Sequence, residues 1–394
     1  MAKNIIFLTK KRSLAGIDQA LPIFMEMRKI SPQSNIIIVF GDKKIYDLTK
    51  RNYILLEDIE YVNGKMYVLR GKNKLITLFK ILKFVFLLAF KENIILRETD
   101  NLPWHNITMK LIKMISRVVQ IRVFLAVQNP IYLKNLNESS LLYWKREGKA
   151  VFKNPVKGEF DYFLSALSPG QVEDVFNVKA PRNKIVEVGY THGLSIWRKY
   201  MDDAIKRNKV INNGKYFLYV LAYLGKRRTN FDEPEIIDLL EESLNILKKY
   251  NGKIKTIFKP HPVTDMGRVK KLLDKISYSN YVIDYTHPFI LSSKAQFVFG
   301  NVYSCTMLDA YYQGKPIVEY CQYDSELFIR MNRQSWGGSR FCDFFIYRDK
   351  KKLDEVLDRL INNEIKVERE PKFMQDNFPD TPPQFYEFLH KLLS

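Results

Sequence analysis

The sequence predicts an α/β protein built from two doubly wound domains, and three observations carry that prediction. Short apolar runs such as Asn4–Thr9, Asn35–Phe40 and Asn93–Arg97 alternate with longer amphipathic stretches, the signature of a parallel sheet layered with helices. The same alternation begins afresh at Tyr216 after an irregular, proline-marked stretch. The chain has 394 residues, enough for two domains of roughly 150–200 residues each. Sheets of this kind bind ligands outside the carboxyl ends of their strands, so two of them are expected to face a central cleft.

The first domain is expected to span residues 1–210. It opens with strand Asn4–Thr9, a basic turn at Lys10–Arg12 and a helix from Ser13 to Ile30, then strand Asn35–Phe40 closed by Gly41 and Asp42. Strand Asn93–Arg97, a helix over about Ile107–Gln120 and strand Ile121–Val127 follow. Residues 128 to about 210 are less regular, with proline at 130, 155, 169 and 181. Short strands at Tyr162–Ala166 and Lys184–Val188 read as the last of the first sheet. Arg207–Gly214 is the expected linker.

The second domain is expected over 211–394. Strand Tyr216–Tyr223 leads to a helix over about Pro234–Tyr250, then a strand ending in Lys259-Pro-His-Pro262. Next come a helix over Asp265–Ile276 and strand Asn280–Asp284. His287-Pro288 reads as a helix start. Strand Ala295–Phe299 runs into a helix from Ser304, and strand Pro316–Glu319 follows. A Gly/Trp-rich loop (Ser335–Gly338), helix Lys350–Asn362 and a terminal helix over Phe385–Leu393 close the chain.

The net charge is +20, carried largely by lysine. A solvated surface accounts for it, as do an anionic substrate, an anionic membrane or nucleic acid. Cys305, Cys321 and Cys342 lack CxxC spacing and a histidine cluster, which argues against structural zinc or a disulfide framework. The N-terminus enters a strand without the apolar region of a signal peptide, so a cytoplasmic location is expected. Leu75–Lys91 is the most apolar stretch, broken by Lys80 and Lys83 and flanked by Lys72, Lys74 and Lys91. It falls short of the ~18 apolar residues of a spanning helix. Two readings stand: a mostly buried helix, or one resting on acidic lipid at the inner face of the cell membrane.

Two strand ends carry the chemistry. Lys259-Pro-His-Pro262 places His261 as an imidazole donor. Some forty residues later, Tyr303-Ser-Cys-Thr306 places Ser304 and Thr306 where a helix begins. Helix N-termini carry unpaired N–H groups and a positive dipole end, which suit a diphosphate or phosphodiester. Asp309 lies one turn on, either capping or pairing within its helix or meeting the ligand. Glu319, at a strand end, could accept ribose hydroxyls. Lys226 and Arg227, in Gly225-Lys-Arg-Arg228, could neutralise a phosphate or sit in solvent. No DxD metal motif follows a strand, and neither a metal nor a further cofactor is expected.

Residues 215–345 resemble the donor-binding domain of GT-B glycosyltransferases that build bacterial surface polysaccharides. The His-Pro and Ser/Thr motifs are most similar to those of bacterial sialyltransferases, capsular Kdo transferases and, more distantly, CDP-glycerol glycerophosphotransferases. The resemblance implies two Rossmann-like domains and a nucleotide-sugar donor. It further implies that His261 bonds the leaving phosphate while Lys259, Pro262, Ser304 and Thr306 shape the donor site. Ser-Cys-Thr stands where the sialyltransferases have paired serines, which leaves the sugar open. A CMP-activated ulosonic acid is the expected donor, and a glycan or lipid-linked glycan the acceptor.

An inverting transfer also needs a base for the acceptor hydroxyl. Glu98 and Asp100, just after an apolar strand, and Asp18, in the first helix, are the candidates, in that order. A CDP-alditol phosphotransferase and a UDP-GlcNAc 2-epimerase share the fold and stand as alternatives. A basic membrane- or nucleic-acid-binding protein is the non-enzymatic one, though no nucleic-acid partner is expected.

Overall fold

A computed structural model gives the fold. It describes residues 3–9, 14–40, 43–69, 74–89, 92–98, 121–127, 161–166, 168–170, 172, 182–207, 214–221, 233–261, 264–323, 325–330, 333–335, 340–378 and 382–394. Within the chain two compact units form. One gathers the described residues of Met1–Lys134 and Ala150–Lys199 with Asn377–Ser394, and the other those of Tyr200–Asp376.

The first unit holds a seven-stranded, all-parallel sheet in the order β3-β2-β1-β4-β5-β6-β7. Its strands are β1 (Asn4–Leu8), β2 (Asn35–Phe40), β3 (Gly64–Val68), β4 (Asn93–Glu98), β5 (Ile121–Val127), β6 (Tyr162–Ser165) and β7 (Ile185–Glu187). Ile5, Ile6, Phe7 and Leu8 are all buried, as a central parallel strand covered on both faces requires. The register sets Phe7 opposite Ile38 on one side and Leu96 on the other.

One stretch went unread in the sequence. Residues 43–68 form helices Lys43–Arg51 and Tyr53–Tyr61 and then edge strand β3. Asn52 starts the second helix by accepting from the Leu55 N–H at 3.2 Å, an N-cap in the ordinary sense. β3 is half-buried along most of its length, so its apolar signal is weak.

The second unit holds a six-stranded parallel sheet in the order β10-β9-β8-β11-β12-β13. These are β8 (Tyr216–Val220), β9 (Lys255–Lys259), β10 (Tyr281–Ile283), β11 (Val298–Gly300), β12 (Ile317–Cys321) and β13 (Phe344–Tyr347). Its core joins Phe217, Tyr219, Phe258, Phe299 and Val318 to Leu240, Leu273 and Leu357 from the covering helices. Strand β13 and helix Pro371–Asn377 are additions to the sequence reading.

Both sheets begin by growing in one direction from β1 or β8, then return to that strand's other side with β4 or β11. Such a reversal opens a crevice at the carboxyl ends of the two neighbouring strands, the switch point where doubly wound sheets bind ligands. In the second unit that point lies between β8 and β11.

The sequence division at 210/211 assigns the terminal helix to the second domain, and the structure places it with the first. Helix Pro383–Leu393 buries Phe385, Leu389, Leu392 and Leu393. Tyr386 donates to Glu26 Oε1 at 2.9 Å, and buried Lys3 donates to the Leu392 carbonyl at 3.2 Å. An amphipathic helix settles wherever its apolar stripe finds a matching face, and here that face belongs to the first unit.

Candidate functional site

At the carboxyl end of β11 the chain runs through Asn301, Val302 and Tyr303 to Ser304, which begins helix Cys305–Tyr312. Buried polar contacts fix this turn from two sides. Asn301 accepts from the Tyr219 hydroxyl and donates to the Tyr320 carbonyl and Ser243 Oγ, both at 2.9 Å. The Tyr303 N–H donates to Glu319 Oε1 at 2.9 Å.

Ser304 has extended backbone at the N-cap position, yet its side chain makes no capping bond. Its Oγ is buried and has no hydrogen-bond partner in the protein. A serine at this position normally closes onto the first turn and satisfies one of its N–H groups. Here the hydroxyl makes no such bond, while the Met307 N–H donates to the Ser304 carbonyl at 2.9 Å. Thr306 follows in that turn, half-buried, and Asp309 is buried one turn deeper in the helix.

Glu319 differs from its expected role. Its carboxylate is fully buried, and Tyr303 N–H, the Tyr323 hydroxyl and the Ser335 hydroxyl all donate to it. With these contacts it braces the Ser304 turn rather than offering itself to ribose hydroxyls. Burial pushes its pKa up, and the three hydrogen bonds oppose that shift. A raised folded-state value means that its contribution to stability is full below the ordinary carboxyl range near 4.5 and is lost as pH rises through the folded value. Glu319→Gln keeps the shape, with the amide oxygen accepting from Tyr303 and Tyr323 and the amide nitrogen donating to Ser335. The melting temperature of this variant relative to the parent is expected to rise from pH 4 towards pH 8. A difference independent of pH would mean that the carboxyl is not the group responsible.

The second motif stands two strands away. His261 follows β9 directly and is half-buried, its carbonyl accepting from the Thr264 N–H at 2.9 Å. Lys259, the last residue of β9, sends its ammonium to the Tyr285 carbonyl at 3.1 Å, tying β9 to the segment after β10. Strand β8 separates β9 from β11, and neighbouring strands lie about 4.8 Å apart. The His261 and Ser304 backbones therefore rise from strand ends roughly 10 Å apart. His287 is a helix cap, as its sequence suggests: its Nδ1 accepts from the Phe289 N–H at 3.1 Å, with Pro288 opening the helix.

In the first unit, Asp18 sits half-buried in helix Ala15–Ile30, with Oδ2 at 3.6 Å from His192 Nε2. His192 follows β7 in the turn Thr191–Gly193, is buried, and stacks on the Trp197 ring at 5.2 Å. Sequence reading passed over His192. Its signal was the one that identified His261: a histidine a few residues beyond a strand's carboxyl end. Glu98 is the last residue of β4, its backbone paired with Val127. Asp100, Lys226, Arg227 and Pro262 lie outside the described residues, as do the helix expected at 107–120 and most of the expected linker.

No known protein family matches the sequence, and no curated protein matches it. Solved structures do match across nearly the whole chain. A UDP-GlcNAc 2-epimerase of Methanocaldococcus jannaschii in complex with UDP-GlcNAc and UDP aligns with a TM-score of 0.55 at 14% identity, covering 99% of each chain. MnaA of S. aureus with UDP aligns at 0.53 and 12% identity, over 99% of this chain and 94% of that one. UGT89C1 of Arabidopsis thaliana complexed with UDP aligns at 0.52 and 12% identity, over 99% and 98%. Similarity at these identities establishes the fold, which is GT-B, with two Rossmann-like sheets.

Proposed function

We propose that this protein is a GT-B glycosyltransferase that moves a sugar from a nucleotide-activated donor to a cell-surface glycan acceptor. The observation that carries the reading is the unsatisfied, buried Ser304 hydroxyl at a helix N-terminus on the switch point of the second sheet. Such a site suits phosphate. The solved structures of like fold, which hold UDP or UDP-GlcNAc, add support for a nucleotide ligand.

In the proposed reaction the acceptor oxygen bonds to the anomeric carbon as the bond from that carbon to the phosphate oxygen breaks. The departing nucleotide carries away the electron pair. His261, Ser304, Thr306 and the first-turn N–H groups take up the charge that develops there, the role that preorganised donors play in lowering a barrier. The acceptor's proton passes to a base. Glu98, Asp100 and Asp18 are the candidates, and the imidazole of His192 beside Asp18 gives the last of these a proton partner.

The His-Pro and Ser/Thr motifs favour a CMP-activated ulosonic acid as donor. The UDP in the similar structures favours a second reading, a UDP-sugar transferase or 2-epimerase. Thermal shift against CMP, CDP, UDP and GDP separates them. Stabilisation by CMP above the others, unaltered by EDTA, is the expected result. Selective stabilisation by UDP would move the assignment to the second reading. Stabilisation by none, or only with added magnesium or manganese, would count against the site as described.

A further inference from the structure

The helix Lys74–Ala89 in the first unit divides the apolar stretch between a buried and an exposed face. Phe84 and Leu88 are buried and pack on Ile6, Leu8, Ile37, Val39 and Ile95 of the sheet. The opposite face carries exposed apolar side chains. Leu75 is 76% exposed, Leu78 53%, Phe79 69%, Leu82 57% and Phe86 66%. With Ile76, this single helix holds six of the eleven large apolar side chains that are exposed among the described residues.

Positions 75, 78, 79, 82 and 86 follow the spacing i, i+3, i+4, i+7 and i+11, which defines one stripe of an α-helix. At about 100° per residue the stripe is centred opposite Phe84. Exposed Lys83 and half-buried Lys80 lie along one flank, and the helix contains no acidic residue. Its 16 residues extend for about 24 Å. Among the described residues no helix is long and apolar enough to cross a membrane.

We propose that this stripe docks on an anionic lipid surface, with the helix lying in the plane of the interface. An apolar stripe of this size is costly to leave in water, and lipid covers it without demanding shape complementarity. Charge selects the occupant. A lysine-flanked stripe without carboxylates, on a chain of net charge +20, matches acidic headgroups and opposes contact with a second copy of the same face, because its lysines would meet each other. Leucine and phenylalanine would enter the acyl boundary while Lys80 and Lys83 extend to the phosphates. This inference is independent of the catalytic reading.

Flotation of the full chain with vesicles tests it. Binding to vesicles of 30% phosphatidylglycerol in phosphatidylcholine is expected to exceed binding to phosphatidylcholine alone by at least about tenfold at low salt and to fall as salt rises. Leu78→Glu/Phe79→Glu should lower binding by at least about tenfold, and Lys80→Glu/Lys83→Glu should remove the preference for acidic lipid. Circular dichroism would confirm that the variants fold, and Leu75→Ser/Phe79→Ser provides a milder pair. Absence of parental binding to acidic vesicles would overturn the proposal, as would equal binding to both vesicle types or full binding by the folded apolar variants. A parental dimer that these substitutions split, without vesicle binding, would assign the stripe to a second copy instead.

Discussion

A His261→Ala variant is expected to fold normally and to transfer sugar about 10²-fold more slowly than the parent. The expectation follows from where charge develops. As the bond to the anomeric carbon breaks, negative charge grows on the phosphate oxygen, and a donor placed there beforehand lowers the barrier by a few kcal/mol. His261 is half-buried at the carboxyl end of β9 and neighbours β8, whose far side borders the Ser304 turn. Its carbonyl accepts from the Thr264 N–H, a contact that alanine retains. The loss should therefore fall mainly on kcat, with a smaller change in the affinity for free nucleotide. Steady-state transfer kinetics, with a melting curve as the folding control, make the check. A folded variant transferring at the parental rate would remove His261 from the mechanism and leave the Ser304 turn to act alone.

How much of this was legible in the sequence depends on which contacts each feature needs. The central strands were readable almost to the residue because a strand buried on both faces must be continuously apolar, and Ile5–Leu8 and Ile36–Phe40 are. Edge elements were not. Strand β3 is half-exposed, and β13, though apolar (Phe-Phe-Ile-Tyr), is only four residues long with Ile346 alone fully buried. The His-Pro and Ser/Thr motifs stood out because strand ends in such folds are where ligands bind. Whether Glu319 faced ribose or the protein was beyond sequence, since that depends on Tyr323 and Ser335, which approach from outside the strand. The exposure of helix Lys74–Ala89 was likewise hidden. Its mostly apolar sequence suits burial and lipid contact alike, and only the packing of Phe84 and Leu88 shows which face meets the sheet.

The same dependence on distant partners explains the largest expected loss of stability, which sequence reading did not single out. Arg369 lies in an extended stretch between two helices and forms a bidentate pair with Asp343, Nη1 to Oδ1 at 2.5 Å and Nη2 to Oδ2 at 2.9 Å. Both side chains are largely buried. Nη2 also donates to the Lys315 carbonyl at 2.7 Å, and the guanidinium lies 3.7 Å from the centre of the Tyr311 ring. Asp343 in turn accepts from the Ile317 N–H at 2.8 Å. The pair thus joins the C-terminal end of helix Cys305–Tyr312 to the start of β12 and the approach to β13. Arg369→Met should fill much of the space while leaving the Asp343 charge buried and poorly compensated, a change that costs about 3–5 kcal/mol. Adding Asp343→Asn removes the stranded charge and keeps an acceptor for Ile317, so the double variant should recover a substantial part of the loss. Urea unfolding of the parent, both single variants and the double variant closes the cycle. Equal and additive losses would mean that the two groups act separately and that the clamp contributes shape alone.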